Sequence, residues 1–260
     1  SRFENEARTI ANLNHENIVK VYDIEQLYRT VFIVMEYLRG ESLYEMLLDE
    51  RKLLLPRALN IILQICAGLR YAHEQGVIHG DVKPANIFVQ TGDRAKILDF
   101  GLACPAGTRS TRIVGTPKYF SPEAIRLGPV DARSDIYSLG IASYRIITGH
   151  EAFQSPDIAN LCHMHLYEPT PDPAALVEDL PEELRTFILK STAKNPMDRF
   201  QNMAEAIHHL QPLTHRLGVA LPDESAKRFN MKSLFLFYRD EHQGMIGRLV
   251  NDFTRELEKI

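Results

Sequence analysis

The sequence predicts an α+β fold, and three observations carry that reading. Two short runs rich in β-branched residues, "NIVKVYDI" (17–24) and "VFIVMEYL" (31–38), stand close together near the start. A long apolar-periodic segment follows between Pro56 and Gly76. From Pro122 to about Leu210 helical patterns are interrupted only by Pro and Gly.

Taken in order, residues 1–13 place Ile10 and Leu13 on one face of a charged segment, which predicts a helix. The two apolar runs flank a polar connector, so they predict an antiparallel pair. "RGESL" (39–43) reads as a turn with a helix start. Pro56 suits a first helical turn, and Ile61, Ile62, Ile65, Leu69 and Ala72 mark the buried face of the helix that follows. Short strands around 86–90 and 95–98 flank a Thr-Gly-Asp turn at 91–93. The stretch 101–121, rich in Gly, Ser and Thr, reads as a loop of a length that is usually functional. Near the C-terminus Ile246, Leu249, Val250, Phe253, Leu257 and Ile260 recur at helical spacing, an amphipathic helix.

Composition narrows the partners. With 45% hydrophobic and 25% charged residues the chain is an ordinary globular one, not a disordered one. Its 260 residues suffice for one large domain or a domain plus a tail. A net charge of −4, with no basic cluster interleaved with aromatics, gives no reason to expect nucleic acid. Cys66, Cys104 and Cys162 lack metal-ligand spacing, and their odd number argues against a disulfide framework, so a reducing cytoplasm fits best. No apolar run reaches the roughly 18 residues of a transmembrane helix. Asp252, Glu256 and Glu258 offset Arg248, Arg255 and Lys259, which argues against membrane contact by the last helix.

One constellation carries chemistry. In "VIHGDVKPANIFV" (77–89), Asp81, Lys83 and Asn86 lie within six residues, and Asp99-Phe100-Gly101 follows beyond the strand pair. Phosphoryl transfer needs these residue types: a carboxylate to accept the hydroxyl proton, an amide oxygen and a second carboxylate to hold magnesium, and a lysine to offset phosphate charge. A lone Asp or Asn in a loop is ordinarily a turn former. The joint pattern of H-x-D-x-K-x-x-N followed by D-F-G is far more specific.

On these motifs the chain resembles the bacterial-type, eukaryotic-like Ser/Thr protein kinase family over roughly residues 1–211. The resemblance implies a protein-kinase-like α+β fold with a partial N-lobe (1–38), a complete, mainly helical C-lobe (39–211) and a C-terminal extension (212–260). It implies ATP and Mg²⁺ as cofactors and a protein with a Ser or Thr acceptor as substrate. Asp81 would be the catalytic base, Lys83 the phosphate contact, and Asn86 and Asp99 the metal ligands. Glu6 matches the glutamate that pairs with the ATP-binding lysine. Met35 resembles the gatekeeper, Glu36 and Leu38 offer hinge backbone groups to adenine, and Phe88 lies beneath the ring. Thr116, in "GTPKYFSPE" (115–123), would bond Asp81 and Lys83, while Glu123 takes Arg199 as its ion partner. Asp135 would anchor the catalytic loop, and Val21, Ile10, Phe100 and His79 would stack between the lobes. Leu102, after D-F-G, leans towards serine acceptors.

Gly80 stands where many of these kinases carry an arginine. Aminoglycoside and choline phosphotransferases also carry H-G-D, but Lys83, the 115–123 platform, Asp135 and Arg199 favour the protein kinases. The arginine's work elsewhere is to grip a phosphorylated activation loop bidentately. Glycine cannot, so activity is expected to depend less on loop phosphorylation. Thr108, Ser110 and Thr111 remain phosphosite candidates, or are simply solvated beside Arg109 and Arg112.

The departures from the pattern lie at the start. Neither a G-x-G-x-x-G loop nor a V-A-I-K-type lysine precedes Glu6, and the chain opens on Ser1. The expectation is a piece of a larger active kinase, inactive or very weak as it stands, and the alternative is a pseudokinase scaffold. The segment after 211 is expected to pack in cis, make a dimer or lead into a further domain.

Overall fold

The computed structural model describes residues 13–27, 30–100, 104–108, 116–221 and 234–238. The helix expected over 1–13 lies outside the described residues except for Leu13, and so does the amphipathic helix of 246–260. The α+β arrangement that the sequence predicts is present.

Strands β1 (Val21–Leu27) and β2 (Thr30–Glu36) pair antiparallel, from Val21↔Met35 to Leu27↔Thr30. The first strand starts later than the run 17–24 suggested. Its leading residues are already committed: Ile97 N–H donates to Asn17 O (2.8 Å) and Val19 N–H to Ile97 O (2.9 Å), which stitches this segment to the body of the molecule. The RGES turn also carries a short strand, β3 (Gly40–Ser42). At Gly40 the φ of 150° and the adjoining Val89 carbonyl leave no room for a Cβ.

Ser42 then caps α1 (Leu43–Asp49), and Glu45 reaches back to the Ser42 N–H at 2.8 Å, completing a capping box. Helix α2 (Leu55–Glu74) begins with Pro56 in its first turn and buries Ile61, Ile62, Ile65, Leu69 and Ala72 completely. Strand β4 (Val77–Ile78) leads into the loop that holds Asp81. Strand β5 (Ile87–Gln90) joins β3 to β6 (Arg94–Ile97), and β7 (Cys104–Pro105) returns to β4.

The helical body comprises α3 (Pro122–Ile125), α4 (Ala132–Thr148), α5 (Ile158–Tyr167), α6 (Glu182–Ser191) and α7 (Met203–Leu217). Helix α4 is buried almost all round, the mark of a core helix. Past α7, β8 (Leu234–Tyr238) pairs antiparallel with β2 and makes the first sheet three-stranded, in the order β1-β2-β8.

Candidate active site

The loop between β4 and β5 hangs from a carboxylate beneath it. Asp135, in the first turn of α4 and almost wholly buried, accepts the His79 and Gly80 N–H groups at 2.8 and 2.9 Å. Nε2 of His73, on α2, lies 2.8 Å from the same carboxylate. Burial by itself would raise the Asp135 pKa. The hydrogen bond and charge of His73, the charge of His79 and the Gly80 amide outweigh it and hold the group below the ordinary range. Gly80 has a φ of 76°, a left-handed conformation that only glycine adopts without strain.

Around Asp81 the chain closes in. Lys83 Nζ donates to Asp81 Oδ2 at 2.5 Å and to Thr116 Oγ1 at 2.8 Å. Asn86 ends a 3₁₀ turn begun by Pro84, and its Nδ2 donates to Asp81 O and Oδ2 at 3.0 and 3.1 Å. The second carboxylate oxygen, Oδ1, has a long bond of 3.4 Å from Thr116 N–H. Asp81, Lys83, Asn86 and Thr116 therefore form one connected group, with Thr116 arriving from 33 residues beyond Lys83.

Asp99 is exposed and has a φ of 50°, an unusual conformation for a non-glycine residue that concentrates at functional sites. Its neighbours are fixed. His79 Nε2 lies 2.9 Å from Leu98 O, and the buried Phe100 ring sits 4.6 Å from the His79 ring. With Asn86 Nδ2 turned onto Asp81, its Oδ1 is the atom left for a cation. Asn86 and Asp99 thus offer a hard-oxygen pair, the donor type Mg²⁺ takes when phosphate and water supply the rest. Among the described residues no group of three or more His, Cys, Asp or Glu side chains is placed to hold a metal.

Beyond Thr116 the platform is fastened to α4 and to the α6–α7 turn. Ser138 Oγ donates to Tyr119 O (2.7 Å), and Arg199 pairs with Glu123 through two bonds of 2.8 and 2.9 Å. Burial would raise Glu123, but Arg199 and Ser134 hold its pKa below the ordinary value.

Comparison with known proteins agrees with this geometry. The model of the "Protein kinase domain" family matches residues 1–210. The chain belongs to the protein kinase family. Within it, the chain is similar to bacterial Ser/Thr kinases. PknB of Mycobacterium tuberculosis is 38% identical over 214 residues, 78% of this chain and 34% of PknB. PknB of Mycolicibacterium smegmatis is 38% identical over the same length. PknL of M. tuberculosis is 34% identical over an alignment of 271 residues that takes in 100% of this chain and 67% of PknL. The chain spans about a third of the length of the PknB relatives, 34%.

In this kinase domain Glu36, the last residue of β2, is tied to β6 by a contact that the motifs do not reveal. Glu36 Oε1 accepts from Lys96 Nζ on β6 at 2.6 Å and from Lys20 N–H at 2.8 Å. Met35 and Leu38 are half-buried on either side of Glu36, and Phe88, on β5 and also half-buried, stands opposite Ser42 of β3 and Lys96 of β6. Val21 is buried. Glu6, Ile10, Gly101, Leu102, Arg109, Ser110, Thr111 and Arg112 lie outside the described residues. Thr108 is described, and its hydroxyl donates to Pro105 O at 2.6 Å.

Sequence reasoning missed His73, Lys96 and Gln64. Gln64 accepts from Ala95 N–H (2.8 Å) and Asn17 Nδ2 (3.1 Å), and its own Nε2 donates to Asp93 O (2.7 Å). A polar residue on an otherwise apolar helix face was the available signal.

Proposed function

We propose that this domain transfers the γ-phosphate of ATP to a Ser or Thr hydroxyl of a protein substrate. The observation that carries this reading is the convergence of Lys83, Asn86 and Thr116 on Asp81. Oδ2 is saturated by Lys83 and Asn86, so Oδ1, held among the described residues by the long Thr116 bond alone, is the oxygen that takes the acceptor's proton. Lys83 is then placed to move from Asp81 towards the transferring phosphoryl group and offset its charge. Asn86 Oδ1 and Asp99 would hold Mg²⁺, which when bound neutralises the ATP phosphates. Met35, Glu36, Leu38 and Phe88 would form the adenine site, and Glu6 would position the ATP lysine.

The kinase is of the glycine type at position 80, cytoplasmic, and a piece of a larger active enzyme. Its partial N-lobe (1–38) and C-lobe (39–211) act as one catalytic unit, with 212–260 as an extension. A phosphotransfer assay on the full-length protein tests this, with Asp81→Asn expected to lower the rate by about 10²–10⁴-fold. An unchanged rate would overturn the assignment.

A further inference from the structure

Helix α4 meets the acceptor platform along one of its faces. Ser138 Oγ donates to Tyr119 O at 2.7 Å, and Arg145 follows Ser138 seven positions later in the same helix. Seven residues are almost two helical turns, so both side chains share that face, about 10 Å apart along the axis. Arg145 therefore lies on the side of α4 that receives the Pro117–Tyr119 turn, directly after Thr116. The charges agree. Burial raises the Tyr119 phenol, Glu151 raises it further and Arg145 lowers it, so both charged groups lie close to that phenol, with Tyr44 of α1 beside them. Exposed Lys118 approaches Glu151 to 3.4 Å.

The carboxylate in this group is accounted for, because Glu151 has Lys118 and the Tyr119 phenol as partners. The guanidinium is not. Arg57, Arg70, Arg133, Arg185 and Arg199 are all at least half-buried, and each pairs with a carboxylate. Arg145 is half-buried as well, yet among the described residues its side chain makes no hydrogen bond or ion pair. A cation suits the last turn of a helix, but the helix dipole leaves the five N–H donors of an arginine unused. A guanidinium drawn partly out of water and left unpaired is the group best shaped to grip a carboxylate through two hydrogen bonds. Lys118 adds a second cation, since its long, exposed contact with Glu151 is worth little.

We propose that Arg145, with Lys118 beside it, receives a carboxylate of the acceptor peptide, so that the favoured substrate is a Ser or Thr with an Asp or Glu a few residues away. The inference rests on the kinase reading above and names the substrate class of that same site. Thr116, bonded to Lys83, marks the acceptor end, and Lys118 is at most about 7 Å further along the chain. With the reach of the two side chains added, the carboxylate falls about two to four residues from the acceptor in an extended peptide.

The test is kcat/KM of the full-length protein, with ATP and Mg²⁺, for serine peptides carrying one Glu, Gln or Lys two, three or four residues to either side of the acceptor. At one of these positions Glu is expected to exceed Gln by at least about tenfold, the scale of a hydrogen-bonded charge pair. Arg145→Met is expected to bring that ratio below about twofold, and Arg145→Glu to favour Lys at the same position. Because each readout is a ratio within one variant, a loss of folded protein cancels. Equal rates for Glu and Gln at every position, or a Glu preference that survives in Arg145→Met, would overturn the assignment and leave the kinase reading standing. A wild-type preference for Lys would overturn it too, and make Glu151 the contact. No transfer to any of the peptides would overturn the assignment and the kinase reading together.

Discussion

Arg199 and Glu123 meet through two parallel hydrogen bonds, and the arginine side chain is completely sealed from solvent. The guanidinium also donates to the carbonyls of Ala193, Arg133 and Lys194, at 2.7, 2.8 and 3.2 Å. One side chain thus ties together the α6–α7 turn, the start of α4 and α3. Removing it strands a buried carboxylate and three carbonyls. Arg199→Met is expected to cost about 3–5 kcal/mol, read by urea unfolding. A loss under about 1 kcal/mol would show that water enters and substitutes for the guanidinium.

Gly80 joins two arguments. Its φ of 76° is costly for any side-chain-bearing residue, so Gly80→Ala is expected to destabilise by about 1–2 kcal/mol in the same unfolding assay. Without an arginine here, the activation loop has no guanidinium at this point to bind a phosphate. Alanine at Thr108, Ser110 and Thr111 together is therefore expected to leave phosphotransfer by the full-length protein within about threefold, a limit set against the tenfold that 1.4 kcal/mol represents. Abolished activity would show that loop phosphorylation is required after all.

The grouping around Asp81 was legible in the sequence because its residues are close together and chemically unusual as a set. Asp81, Lys83 and Asn86 fall within six positions, and the strand pair that follows returns the chain so that Leu98, beside Asp99, donates its N–H to Asn86 O at 2.8 Å. The α2 face was legible because its apolar spacing is regular. What could not be read were contacts between distant, individually ordinary residues. Nothing about Lys96 marks it as the partner of Glu36, 60 positions away, and the same holds for His73 and Asp135. The onset of β1 was misjudged because apolar spacing does not reveal that Asn17 and Val19 bond to Ile97. Strand β8 was missed for a related reason: "LFLFY" can pair with any free edge, and only the fold says which edge is free.

Gly68 sits where α2 passes under the segment entering β1. A Cβ there would lie 2.9 Å from Ile97 Cδ1 and 3.0 Å from Asn17 O. Gly68→Ala gains about 1 kcal/mol of helix propensity and loses about 1–3 to overpacking. Gly68→Val gains less and crowds more, so it is expected to be the less stable of the two by at least about 1 kcal/mol. The strain falls on the Asn17–Ile97 bonds, so faster hydrogen exchange at Val19 and Ile97 should accompany it. A Val variant as stable as the wild type would mean that the 17–19 segment moves off Ile97 without cost.

His165 makes stability depend on pH over a window of its own. It is fully enclosed, with Nδ1 3.0 Å from the Tyr137 hydroxyl and the Phe153 ring 5.0 Å away, and the Lys194 ammonium approaches the same two aromatic rings. Burial, and then the Lys194 charge, lowers its pKa from 6.5 to about 4. The unfolded chain therefore takes up the proton first, and stability that is complete above about pH 6.5 is lost as pH falls towards about 4. The full effect is on the order of 3 kcal/mol. His15 is lowered to about 4 as well and contributes in the same direction. Glu123 and Asp135 have depressed pKa values too, but as carboxylates they release their share only below the ordinary carboxylate range. His165→Gln keeps a hydrogen-bonding group for Tyr137 and cannot titrate. Urea unfolding between about pH 6.5 and about pH 4.5 is expected to show a shallower fall in stability for this variant, by about 2 kcal/mol. An identical slope in variant and wild type would mean that His165 protonates in the folded protein as readily as in the unfolded chain.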